Sequence, residues 1–278
     1  MKFKLIFILF NILIIGSFAI LFFMPAFLVG WDFAGTMWVD SWYLPILFLV
    51  FIGVLNFYFI FNWRLFTLLE GEKWKEILDF LDDEFFKKSG GKRGLRLNRT
   101  RIRIYINACV VSSNLMQISK LADFLKEHQI KLFADYVLTL GLPQLLKEDP
   151  EKLEAFYGQV YTLPKVKDAS WCIWIHSFAQ MLQKKDEARK ALTGLVSDKD
   201  PLIKLLSLYL IGVSAKVELD GDEELFYKEK ASLKEFLSAD KLSRIREKQQ
   251  GNMLFYAMSK IIDQAWEWLH QEEHIENS

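Results

Sequence analysis

From Leu5 to Val29 the chain carries no charged residue and is almost wholly apolar. At a rise of about 1.5 Å per residue, a helix of this length crosses the roughly 30 Å hydrocarbon core of a bilayer. A cleaved signal peptide has a shorter apolar region that ends at small residues. Here bulky Phe22, Phe23, Met24 and Phe27 run to the far end, which favours a retained spanning helix.

A second uncharged stretch runs from Leu44 to Phe61, with Pro45 in its first turn and Trp63 and Arg64 where an interfacial anchor belongs. Residues 1–64 therefore read as a two-helix transmembrane hairpin. The polar loop from Gly30 to Tyr43 carries Trp31, Trp38, Trp42, Asp32 and Asp40 but no Lys or Arg, whereas Lys2, Lys4, Arg64, Lys73 and Lys75 flank the other ends. The positive-inside rule then places both termini in the cytoplasm, on the inner face of a bacterial inner membrane. Asn11 lies seven residues from Lys4 and Asn56 eight residues from Arg64, so an antiparallel hairpin sets them at nearly one depth. An interhelical polar contact is the expected use of this pair, because two spans without an ionisable residue offer no ion or proton path.

Composition changes after the hairpin. The first 63 residues hold only four charges, whereas charged residues are frequent and apolar ones periodic from Arg64 onward, as in a water-soluble fold with its own core. The whole chain balances 35 basic against 35 acidic residues, so only local charge can suggest a polyanionic partner. Glu70 to Leu81 reads as an amphipathic helix opening a neck over residues 65–107. Between Lys87 and Arg103 the neck holds eight basic residues, no acidic one and three glycines. Lys87, Lys88, Lys92, Arg93, Arg96, Arg99 and Arg101 are candidates for anionic lipid headgroups, each worth about 1 kcal/mol near a membrane surface. A solvated loop is the blander alternative. A nucleic-acid partner is disfavoured, since Tyr105 alone supplies no interleaved stacking.

Residues 108–278 are helical in pattern throughout, with apolar positions three and four apart and no alternating strand. Asp149-Pro150 and Asp200-Pro201 each put a capping residue before a proline suited to a first helical turn. The stretch from Trp171 to Pro201, with Trp174, Phe178, Leu182, Asp186-Glu187-Ala188, Leu192 and Leu195, resembles one degenerate tetratricopeptide-type repeat. Glu70 to Trp74 resembles the inter-helix turn of another. The resemblance implies an all-α fold in which the hairpin precedes an α-solenoid-like array of helix pairs. It also implies a concave groove that binds a partner protein, with the segment around Phe255 to Leu269 as a capping helix. Candidate groove residues are Arg103, Tyr157, Tyr161, Trp171, Trp174 and His176.

Signs of chemistry are weak. His270-Gln271-Glu272-Glu273-His274 matches a zinc-peptidase spacing but sits in a polar tail without a third ligand. Asp220 to Glu224 reads as a solvated turn, and Cys109 and Cys172 as buried thiols. No phosphate loop, nucleophile elbow or paired-cysteine site is present in the sequence. No catalytic residue, metal, cofactor or small-molecule substrate is therefore expected. A membrane-anchored scaffold or assembly factor leads, an anionic-lipid-sensing regulator acting through residues 87–103 comes second, and a membrane-bound enzyme is the least favoured reading.

Overall fold

The structure is a computed structural model; it describes residues 2–87, 98–147, 149–163, 165–214, 223–249 and 253–271. Among these the fold is all-helical, with no strand, and it divides into two compact units, residues 1–112 and 113–278. The hairpin and the neck, separated at residue 64 by composition, fall within one unit.

In the first unit, α1 (Lys2–Leu28) and α3 (Tyr43–Phe61) are long and apolar enough to cross a membrane. They run antiparallel: Phe7 meets Phe59 at 5.0 Å between ring centroids, and Phe18 stacks on Phe48 at 3.8 Å, so partners recede along one helix as they advance along the other. The segment between them, expected as a loop, is helical as α2 (Trp31–Asp40). Gly30 makes the entry by taking φ +109°, a value side-chain-bearing residues rarely adopt. Trp38 then stacks on Phe22 at 5.5 Å and donates its Nε1–H to the Phe22 carbonyl at 3.1 Å. The indole thus both fills the contact and satisfies a carbonyl near the end of α1, a combination open to Trp because its ring is apolar and its N–H polar.

Asn62 both ends α3 and starts α4 (Trp63–Glu70). Then follow α5 (Trp74–Asp82), a π-helical turn over Asp83–Lys87, and α6 (Arg99–Val111), whose first turn is capped by Asn98 accepting from the Thr100 N–H at 3.0 Å. Ile77, Leu81, Phe85, Ile102 and Tyr105 are buried in this neck. The π turn, an uncommon element that shifts side-chain phase, places Glu84 beside Arg101 of α6.

The second unit contains α7 (Leu115–His128), α8 (Ile130–Leu140), α9 (Leu142–Leu146), α10 (Pro150–Tyr157), a 3-10 turn over Gly158–Thr162, and α11 (Ala169–Leu182). It continues through α12 (Glu187–Leu195), α13 (Pro201–Ser214), α14 (Glu223–Phe236), α15 (Ala239–Lys248) and α16 (Met253–His270). Both Asp-Pro signals start helices: Asp149 accepts from the Lys152 N–H at 3.2 Å ahead of α10, and Asp200 from the Leu202 N–H at 2.9 Å ahead of α13. Successive helices pack on one another, α11 against α12 being the pair that carries the repeat-like motif. In a repeat array each hairpin touches only its neighbours. Here α16 packs on α13 and α14 and also reaches α9, more than 100 residues earlier, which closes the unit on itself.

Two glycines in the second unit are set by close approach. A Cβ on Gly141 would lie 2.4 Å from the Tyr157 ring, and one on Gly212 the same distance from the Trp268 ring. At Gly212 an aromatic side chain lies directly against the backbone of α13, and at Gly141 against the turn between α8 and α9.

Candidate functional site

The candidate groove residues separate into a buried set and an exposed set. Tyr157 and Trp174 are fully buried. The Tyr157 hydroxyl donates to the Leu138 carbonyl at 2.9 Å, and Trp174 stacks on Phe178 at 5.3 Å. This corrects the expectation for both: their helical spacing puts them on the inward stripe of their helices, so they offer a partner no surface. Trp171, half-buried, donates Nε1–H to Asp200 at 3.0 Å while Ser170 donates to Asp198 at 2.7 Å. Trp171 therefore fastens α11 to the turn before α13.

Tyr161 and His176 do come together. Tyr161 is exposed on the 3-10 turn, and its ring meets the half-buried imidazole of His176 edge-on at 5.4 Å. Gly158 allows this approach, since a Cβ there would stand 3.2 Å from His176 Nε2. Burial lowers the His176 pKa below the ordinary value, opposed by the nearby charge of Glu154. The imidazole is therefore neutral at pH 7. Its Nδ1 is buried and has no hydrogen-bond partner among the described residues.

One turn along α11 lies a polar cluster that no sequence motif announces. Glu154 of α10 accepts from Lys185 Nζ at 2.5 Å, Gln183 Nε2 at 2.8 Å and Gln180 Nε2 at 3.2 Å. The Lys185 ammonium, followed by the two amides, holds the Glu154 carboxyl below the usual carboxylate range. The signal for it is His176 and Gln180 one turn apart on an otherwise apolar stretch, with Gln183 and Lys185 in the turn just past the end of α11. Together with Tyr161, this side of α10 and α11 presents an aromatic ring, an imidazole and a fixed carboxylate.

In the first unit Arg103 and Arg99 lie exposed on α6, one turn apart. Arg101 is buried, donating to Glu84 and, at 2.8 Å, to Asn62 Oδ1. Its place among the headgroup candidates is thereby corrected. A guanidinium removed from water needs such partners, and one committed to them is not presented to lipid. The Lys87 side chain, Lys88, Lys92, Arg93 and Arg96 lie outside the described residues, as do Asp220, Asp222, Glu272, Glu273 and His274. Arg64 stacks over Phe80 at 5.1 Å and lines, with Glu76, Asp79 and Asp83, a cleft of about 210 Å³.

Between the two long helices Asn56 Nδ2 donates to Asn11 Oδ1 at 2.8 Å, and each amide also donates to the carbonyl four residues back in its own helix. Burial raises the Cys109 and Cys172 thiols to about 12, which makes both inert at neutral pH. Among the described residues no group of three or more His, Cys, Asp or Glu side chains is placed to hold a metal ion.

No solved structure matches the chain. An uncharacterized protein of Treponema pallidum (strain Nichols) is 24% identical over 217 residues. The alignment covers 76% of this chain and 66% of that protein, so the chain spans a little under two thirds of the length of this relative. Residues 117–271, more than half of the chain and nearly the whole of the second unit, match the family model described as "Uncharacterised Treponema protein", and the chain belongs to that family.

Proposed function

We propose that the chain is a membrane-anchored scaffold or assembly factor: α1 and α3 cross a bacterial inner membrane, and the helical second unit recruits a protein partner on the cytoplasmic side. The observation that carries the anchor is the all-round apolar surface of α1 and α3, with Leu5, Ile20, Leu47 and Phe57 all about two-thirds exposed or more. A helix apolar on every side suits hydrocarbon rather than water. The Trp-rich α2 then lies at the far interface, and the basic residues at the opposite ends set the orientation. For recruitment, the TPR-like pair of α11 and α12 is one part of a helical unit that α16 closes against α9, and Tyr161 with His176 marks the contact face.

A second reading, contact with anionic lipid, is favoured by the exposed Arg99 and Arg103 on one side of α6. One experiment addresses both. A C-terminal tag is tested for protease access in intact spheroplasts, and cross-linking is compared between the wild type, Tyr161→Ala and Arg99→Gln/Arg103→Gln. Protection with cross-links lost on Tyr161→Ala supports the scaffold. Partner capture that survives Tyr161→Ala, with cross-linking to anionic lipid lost in the arginine variant, supports the lipid reading. Digestion from outside refutes the orientation.

A further inference from the structure

The Asn11–Asn56 contact leaves hydrogen-bonding groups over. Asn56 uses both amide hydrogens, one to Asn11 Oδ1 and one to the Ile52 carbonyl. Asn11 Nδ2 donates only to the Phe7 carbonyl. One N–H of Asn11 and the Oδ1 of Asn56 thus have no partner among the described residues. In hydrocarbon, where water is absent, each such group favours whatever contact satisfies it.

We propose that two copies of the chain associate through the hairpin, the spare Asn11 N–H of each donating to Asn56 Oδ1 of the other. The leftover set argues for a second copy rather than a different protein. It consists of one donor and one acceptor on a single chain, and a two-fold axis pairs both at once because a contact from one position to another is returned by symmetry. The surface beside Asn56 fits this approach. Leu49, Gly53, Asn56 and Ile60 recur at spacings of four, three and four along α3; Leu49 and Ile60 are each 66% exposed, and a Cβ on Gly53 would meet nothing within 4 Å. A bare backbone next to a polar side chain is the arrangement that lets membrane helices come close enough to hydrogen-bond.

This inference rests on the membrane reading above, and its test keeps the two apart. Full-length protein labelled with donor or acceptor dye is reconstituted in phosphatidylcholine vesicles, and energy transfer is followed as the protein-to-lipid ratio falls. Carbonate extraction is run on the same vesicles. Asn56→Leu is expected to raise the apparent dissociation constant roughly tenfold by removing both exchanged bonds. Gly53→Ile is expected to do the same by bulk alone, and it leaves the Asn11–Asn56 bond within each chain untouched. Gly16→Ile is the control: a Cβ there also meets nothing within 4 Å, but the site lies about 140° around α1 from Asn11, and association should be unchanged. Carbonate-resistant protein without ratio-dependent transfer, or with transfer indifferent to both Asn56→Leu and Gly53→Ile, overturns the dimer. Release by carbonate overturns the membrane reading itself, and the dimer with it.

Discussion

The Gly141–Tyr157 contact gives the sharpest quantitative test of the second unit, because the same substitution should change sign with its neighbour. Gly141 has φ −81° and ψ −5°, a backbone conformation alanine accepts readily. Replacing Gly by Ala at such a position normally stabilises by about 0.5 kcal/mol through the unfolded chain. Here the new methyl would stand 2.4 Å from Tyr157 Cζ and Oη and 2.8 Å from Cε2. The ring cannot swing away cheaply, being fully buried and anchored by its hydroxyl to the Leu138 carbonyl. Overpacking costs about 1–3 kcal/mol, and displacing the hydroxyl forfeits about 1 kcal/mol more. Gly141→Ala is thus expected to destabilise by about 1.5–3.5 kcal/mol net, or very roughly 3–14 °C in melting temperature for a unit of this size. In a Tyr157→Leu background the methyl meets no ring, and Gly141→Ala should be neutral or slightly stabilising. Helix melting of the full-length protein in detergent, followed by circular dichroism across all four members of the cycle, reads the coupling directly. A Gly141→Ala variant as stable as wild type with Tyr157 present would refute the close approach and the inward placement of Tyr157.

Other expectations follow from the same contacts. Arg101→Ala should loosen the neck by about 3 kcal/mol, seen as earlier helix melting of the full-length protein, because it strands Glu84 largely out of water; Arg103→Ala should stay within about 0.5 kcal/mol. Trp171→Phe keeps an aromatic ring at the site but removes the indole N–H bond to Asp200, and should lower the melting temperature by the few degrees that about 1 kcal/mol represents. Stability should fall in two stages on acidification. Protonation of His176, whose folded pKa is depressed, opposes folding as pH drops through its unfolded value of about 6.5. The stabilisation from Glu154, also depressed, is present above its unfolded value of about 4.3 and lost as pH falls through its lower folded one. His176→Gln should flatten the upper stage and Lys185→Met the lower, as read by melting temperature against pH.

Element boundaries in the second unit were legible in the sequence wherever capping chemistry stood beside a periodic apolar run. The Asp-Pro pairs mark the starts of α10 and α13 to the residue. The segment between α1 and α3 was harder to read. Its tryptophans look like interface anchors, and only Trp38 lying on Phe22, a contact between residues 16 apart, shows why the segment coils into a helix. Nor does any sequence rule announce that α5 ends in a π turn. Without that turn nothing distinguishes Arg101 from the other basic residues around it, and composition alone assigns all of them to the same surface.

The groove candidates show the same limit from the other side. Aromatic residues at helical spacing reveal that a helix has a stripe, but which residues of the stripe face inward depends on helix phase and on what packs above. Trp171 and Trp174 are three apart on α11, yet one is fully buried and the other reaches across to Asp200. Tyr157 and Tyr161 are four apart across a junction where the α-helix tightens to 3-10 geometry, and the change in residues per turn rotates the second ring outward. Tyr161 is therefore exposed because of the transition at Gly158, the residue that also lets His176 approach. Gly158→Ala probes both effects together: it should push the imidazole aside, alter partner cross-linking as Tyr161→Ala does, and leave the Tyr157 core contact intact. Unchanged cross-linking with a shifted His176 titration would remove this face from the recruitment surface while leaving the fold as described.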